Sequence, residues 1–199
     1  MKAGRWGLSR EDYETICGCL DAGDLIVYPT DTVYGVGCNP FDIESVERVF
    51  EVKRRPADQP IALALTSSNQ IPTYAHVTPA AQAIIAKHLP GPVTLLLRAA
   101  QGAPVPLVSS NGLIGIRVPD HTVAIAITKA FGPVTTTSAN LHGGASPIAC
   151  EDALAQLGDA VDLYIDCGPT SLGKESTIVD ASGESPKVIR EGALRREDL

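Results

Sequence analysis

Hydroxyls, cations and a few carboxylates gather in short stretches where apolar runs end, and their types suit the handling of anions. Pro29-Thr-Asp-Thr-Val-Tyr-Gly35 sets two hydroxyls, a carboxylate and a phenol directly after the apolar Leu25–Tyr28. Alone, such a loop is either a turn held by Thr hydroxyls on its own backbone or a ligand-binding loop. Lys53-Arg-Arg55-Pro56 closes a helical pattern, where cations favour the helix dipole with or without a ligand. Thr135-Thr-Thr-Ser-Ala-Asn140 crowds hydroxyls after Val134. Unpaired hydroxyls are costly in a core, so these either cap backbone or meet a polar ligand, and Ser176-Thr177 poses the same choice. Arg117 and Arg190 each end an apolar run, where a guanidinium either lies at the surface or offers its fork to a phosphate.

Other chemistries fail on the sequence. Gly168-Pro-Thr-Ser-Leu-Gly173-Lys174 has the spacing of a P-loop, yet Glu175 stands where a magnesium-binding hydroxyl belongs. The β-branched run after it reads as a strand, so no helix N-terminus is there to hold a phosphate. No G-x-S-x-G elbow exists, and His76, His88, His121 and His142 stand at unrelated spacings. The five cysteines lack paired C-x-x-C spacing and support neither a disulfide framework nor a zinc site. An enzyme built from these residues would orient charged substrates without a side-chain nucleophile.

The positioning elements are readable from period and punctuation. Ser9 and Asp12 form a capping box for a helix from Ser9 to about Ala22, stopped by Gly23. Leu25–Tyr28 is a strand and Thr30–Asn39 a loop. Asp42 caps a helix with Ile43, Val46, Val49 and Phe50 on one face, ending near Lys53. Ile61–Leu65 is a strand, and Thr78 with Pro79 opens a helix closed by Pro90-Gly91. Strands follow at Val93–Leu97 and Leu113–Val118, a helix at Asp120–Phe131, a strand at Val134–Thr137 and a helix at Glu151–Leu157. Val161–Ile165, Thr177–Val179 and Lys187–Ile189 complete the strands. Alternation of this kind predicts an α/β (α+β) domain with a twisted, mixed sheet flanked by helices.

Composition bounds the function classes. A chain of 199 residues suffices for one domain with a substantial core. A net charge of −7 and an aromatic content of 5% argue against a protein whose main task is gripping nucleic acid. Any anion site must be local, and direct RNA binding is expected to be weak or absent. Met1–Leu8 is too polar for the apolar core of a signal peptide, and no run reaches membrane-spanning length, so a cytoplasmic location is expected.

Taken in order, the chain resembles the threonylcarbamoyl-AMP synthase (YrdC-like) family from about Asp24 to Gly192. The matching stretches are Tyr28-Pro-Thr-Asp-Thr-Val-Tyr-Gly-Val-Gly37, Lys53-x-Arg55-Pro56, Leu89-Pro-Gly-Pro-Val-Thr94, Gly115-Ile-Arg-Val-Pro119, Thr137-Ser-Ala-Asn140, Ser146-Pro147, Glu175-Ser-Thr-Ile-Val-Asp180 and Val188-Ile-Arg190. The resemblance implies one YrdC-like domain over 1–199, in the form without the extra C-terminal domain of longer relatives, and a concave basic cavity on the sheet. It implies that L-threonine, bicarbonate and ATP become threonylcarbamoyl-AMP and pyrophosphate, for the N6-threonylcarbamoyladenosine modification of tRNA by a downstream transferase. Magnesium would arrive with ATP, needing no dedicated protein ligands.

By motif position the resemblance assigns Lys53, Arg55, Ser138, Asn140, Ser146 and Arg190 to ATP, with Lys53 and Arg55 catalytic. Thr30, Arg117, Thr136 and Ser176 fall to threonine. Two departures touch the pocket wall: Ile61–Leu65 lacks the histidine of many relatives, and Leu113 stands where some carry threonine. Two alternatives use related cavities: a module binding double-stranded RNA or tRNA, and a carbamoyl-transferring enzyme with another acceptor.

Overall fold

Ser9 Oγ accepts the Asp12 amide at 3.2 Å, and Asp12 Oδ2 accepts the Ser9 amide at 2.8 Å, so the predicted capping box opens α1 (Arg10–Asp21). This computed structural model describes residues 8–56, 59 and 61–199. The reading of Met1–Leu8 lies outside them, except for Leu8. Strand β1 (Ile26–Tyr28) turns through the Thr30 loop into β2 (Gly35–Gly37) and then α2 (Ile43–Lys53). Next come β3 (Ala62–Ala64), a short α3 (Ile71–Tyr74), β4 (Ala75–His76) and α4 (Pro79–His88). Strands β5 (Val93–Ala99) and β6 (Leu113–Arg117) lead to α5 (Thr122–Ala130), β7 (Val134–Ser138) and α6 (Cys150–Leu157). Strands β8 (Leu163–Tyr164), β9 (Thr177–Asp180) and β10 (Lys187–Arg190) follow.

The strands form one mixed sheet in the order β10-β9-β5-β6-β3-β7-β2-β1-β8, with β4 alongside β5. Three neighbouring pairs are parallel, β1/β8, β3/β6 and β5/β9. Strand residues alternate between two faces. On one face, Val27, Val36, Leu63, Leu95, Leu97, Ile114, Ile116 and Val179 pack with Val46 and Val49 of α2, Ile84 and Ile85 of α4, and Ala153 and Leu157 of α6. On the other, Ile26, Tyr28, Ala64 and Val134 meet Ile16 and Leu20 of α1 and Val123, Ala124 and Ile127 of α5.

Several elements differ from the sequence reading. The predicted loop Thr30–Asn39 contains β2, hidden because its sequence is Gly-Val-Gly. Those glycines permit close packing: a Cβ on Gly37 would lie 2.8 Å from Tyr28 Cε1 and 3.2 Å from the Thr135 carbonyl. The short α3 and β4 have no periodic signal, since four and two residues are too few to show one. Val161–Ile165 forms ladder pairs only at Leu163 and Tyr164.

Candidate active site

The second face of the sheet is only partly covered by α1 and α5. Register carries it onward: Ile178 pairs with Thr94, Thr94 with Arg117, Leu96 with Gly115, Gly115 with Ala62, and Ala62 with Thr136. Small side chains in the middle leave a hollow. A Cβ on Gly115 would sit 3.1 Å from Ala62 Cβ, so even alanine there would press on the neighbouring strand. A cavity of about 570 Å³ opens over this floor. Thr30, Lys53, Arg55, Arg117, Thr136, Ser138, Asn140, Ser176 and Arg190 line it. Ser146 joins the group through Glu175, a lining residue whose Oε1 accepts the Ser146 hydroxyl at 2.5 Å.

At one end Arg117 points from the end of β6 into the Thr30 loop. Its Nη2 donates to Asp31 Oδ1 at 2.7 Å and Thr32 Oγ1 at 2.6 Å, with Thr30 Oγ1 at 3.4 Å. Thr30 Oγ1 donates to the Val33 carbonyl at 2.7 Å and accepts the Thr32 amide at 3.2 Å, so its hydroxyl shapes the turn that carries Asp31. Arg117 Nε and Asp31 Oδ2 are buried without a hydrogen-bond partner among the described residues. Nearby, Thr94 Oγ1 and Ser176 Oγ are 2.8 Å apart.

At the other end, α2 stops because Arg54 adopts a left-handed conformation, φ 49°. Arg54 N–H donates to Glu51 and Arg55 N–H to Phe50, closing the last turn. This reversal leaves Arg54 exposed while Lys53 and Arg55 turn to the cavity. Lys53 is buried, and its ammonium donates to the carbonyls of Ser138 and Asn140, the latter at 2.7 Å. Its own carbonyl accepts the His142 amide at 2.8 Å, and Asn140 Nδ2 donates to the Gly144 carbonyl at 2.7 Å. Lys53 and Asn140 thus fix the end of β7 at Ser138 and the loop that follows it. Burial, followed by the Arg55 charge, pushes the Lys53 ammonium down to about 8. Burial and then Arg190 lower the Arg55 guanidinium, whose Nε donates to the Gln59 carbonyl at 3.0 Å. Arg190 forms an ion pair with Glu175 and donates to the Ser176 carbonyl at 2.9 Å.

All ten residues singled out from the sequence therefore lie in or beside one cavity, in two groups. Sequence reading omitted Asp31, Thr32, Thr94 and Glu175. Each lies inside a quoted motif, but their roles come from pairings across the fold, Asp31 with Arg117 and Glu175 with Ser146. The Gly168–Lys174 segment runs into β9, and its Ser171 hydroxyl and Leu172 amide donate to the Asp31 carbonyl at 3.0 and 3.1 Å. It buttresses the Thr30 loop. Among the described residues, no group of three or more His, Cys, Asp or Glu comes together to hold a metal. No helix among them is long and apolar enough to cross a membrane.

Comparison with known proteins bears on this geometry. The Sua5/YciO/YrdC family model, described under telomere recombination, matches residues 18–192. A Mycobacterium tuberculosis protein with a provisional threonylcarbamoyl-AMP synthase name is 36% identical over 183 residues, covering 92% of this chain and 84% of that one. A threonylcarbamoyl-AMP synthase of Vibrio parahaemolyticus is 30% identical over 186 residues, covering 92% of this chain and all of the relative. The crystal structure of Pyrococcus abyssi Sua5 complexed with L-threonine superposes with a TM-score of 0.90 at 30% identity. That match covers 96% of this chain, which spans 57% of the longer Pyrococcus protein.

Proposed function

The chain belongs to the Sua5/YciO/YrdC family, and from that premise we propose that it is an L-threonylcarbamoyladenylate synthase, a nucleotidyltransferase. It forms threonylcarbamoyl-AMP and pyrophosphate from L-threonine, bicarbonate and ATP in the cytoplasm. A tRNA threonylcarbamoyl transferase then consumes the adenylate. The observation that carries this reading is that one cavity of about 570 Å³ is lined by both polar groups, Thr30–Arg117–Thr136–Ser176 and Lys53–Arg55–Ser138–Arg190. Such a space suits two small substrates held side by side.

In this reading the threonine amine and bicarbonate condense to a carbamate with loss of water. A carbamate oxygen attacks the α-phosphorus, the bond to the bridging oxygen breaks, and pyrophosphate leaves. The nucleophile belongs to the substrate, so the protein's part is to align anions and stabilise developing charge. Arg55 and Arg190 meet the phosphates. Lys53, still cationic at neutral pH with its ammonium near 8, holds the Ser138–Asn140 loop and adds positive potential. Arg117, fixed by Asp31, faces the amino acid. Magnesium enters on the triphosphate as part of the substrate.

Mass spectrometry of a reaction containing ATP, threonine and bicarbonate tests the proposal. Threonylcarbamoyl-AMP and pyrophosphate should appear in equal amounts and vanish when any one substrate is withheld. A folded protein that makes neither would refute the reading. RNA binding should be weak and steeply salt-dependent on a chain of charge −7.

A further inference from the structure

Among the described residues, Lys53, Arg55, Arg117 and Arg190 line the cavity together with one carboxylate, that of Glu175. Both carboxylate oxygens are engaged, Oε1 by the Ser146 hydroxyl at 2.5 Å and Oε2 by the Arg190 guanidinium. The same charge acts on Lys53 and Arg55, opposing the downward effect of burial on each. Glu175 thus sits among the cations assigned above to the nucleotide.

A carboxylate that bridges a hydroxyl and a guanidinium presents what a phosphate presents to the same donors, two anionic oxygens in one plane. Its position allows exchange. The Arg190 and Glu175 side chains are 43% and 28% exposed, so the carboxylate can turn toward water without crossing a dry interior. Arg190 keeps its bond to the Ser176 carbonyl at 2.9 Å, which holds the guanidinium in place when the carboxylate leaves.

We propose that Glu175 is a built-in counter-anion, which an incoming polyphosphate displaces from Arg190 and Ser146. In the ligand-free protein it damps the mutual repulsion of Arg55 and Arg190 and keeps Arg190 aimed at the cavity. It also sets a threshold. A singly charged anion gains little by exchanging with a tethered carboxylate, whereas a polyphosphate brings several charges and exchanges favourably. The cavity is thereby biased toward polyphosphates over phosphate or chloride.

This inference rests on the nucleotide reading, and the probe is inorganic pyrophosphate in the absence of divalent cations, titrated by calorimetry into wild type, Glu175→Gln and Glu175→Ala. Glu175→Gln should bind pyrophosphate about tenfold more tightly at low ionic strength, about 1.4 kcal/mol, with the gain shrinking as salt is added. The free variant should melt no higher than wild type, while its Tm rise on adding pyrophosphate should exceed that of wild type. A merely structural role would lower both quantities. Equal or weaker binding by both folded variants, with wild-type binding intact, overturns the role of Glu175 alone. A wild type that binds neither pyrophosphate nor ATP overturns the nucleotide reading and this inference with it.

Discussion

Replacing Asp31 by Asn preserves shape but removes the negative charge facing Arg117. In the folded chain Asp31 Oδ1 lies 2.7 Å from Arg117 Nη2, and the two side chains are only 5% and 7% exposed. Water cannot readily compensate a charge stranded there, so Asp31→Asn should cost about 3–5 kcal/mol. At roughly 2–4 °C per kcal/mol for a chain of this size, Tm should fall by roughly 6–20 °C. Arg117→Met should cost a similar amount, because it leaves Asp31 buried with Oδ2 already lacking a partner. The double variant Asp31→Asn/Arg117→Met removes both charges and should lose no more than either single variant. Urea unfolding of the four proteins, with m-values compared to verify a common mechanism, yields the coupling energy, expected near 3 kcal/mol or above. Additivity of the single effects within about 0.5 kcal/mol would refute the claim that this pair is a closed electrostatic unit.

Arg55→Ala should reduce kcat/KM by roughly 30- to 1000-fold, the effect of losing one charge-assisted transition-state contact, while Arg54→Ala, at an exposed position, should leave it within a few-fold; equal kcat/KM values would return both arginines to a helix-dipole role. Lys53 has its ammonium near 8 in the folded chain against 10.5 in its ordinary state, so between these values the unfolded chain holds the extra proton and stability gains with rising pH. Wild type should therefore gain on the order of 3 kcal/mol relative to Lys53→Met from pH 7 to 10.5, and a flat difference in chemical denaturation would contradict it. Gly192→Ala should impair folding and activity together, because its Cβ would overlap the backbone of Glu175 and Ser176; a stable, active variant by thermal melt and turnover would show that segment to be loose. Among amino acids, serine should be the best wrong substrate by kcat/KM and valine worse, since a missing methyl costs about 1–3 kcal/mol while a missing hydroxyl strands polar partners. Thr30→Val, which breaks the turn at Val33, should raise KM for threonine and leave ATP affinity nearly unchanged.

Local rules made α1, α2 and α4 readable from Ser9, Asp42 and Thr78, whose side chains accept amide bonds at their helix starts. The longer strands were readable because Leu95, Leu97, Ile114 and Ile116 repeat every second residue. Strand β2 was not, since its two glycines carry no side-chain signal and it exists by virtue of β1 and β7 on either side. The site shows the same division. Ordered motifs named its residues, and register alone brings Thr94, Arg117, Gly115 and Ala62 onto one floor. What Lys53 does there was hidden, because the carbonyls that receive its ammonium, of Ser138 at the end of β7 and Asn140 in the loop after it, lie 85 and 87 positions away. Glu175 was quoted within a motif, but only its distance from Ser146, 29 positions earlier, gives it an anionic partner's role.

The strand order has a further consequence for the life of the molecule. Strand β5 pairs with β9, and β1 with β8, joining parts of the chain more than 80 and 130 positions apart. Arg190 and Ser176 lie more than 120 positions later in the chain than Thr30 and Lys53. No early fragment can therefore hold the complete constellation, and occupancy of the cavity reports on closure of the whole sheet. Under the proposed function, substrate bound to the closed fold would stabilise it by mass action, so amino acid and nucleotide would protect the folded chain from proteolysis and leave half-assembled copies unprotected.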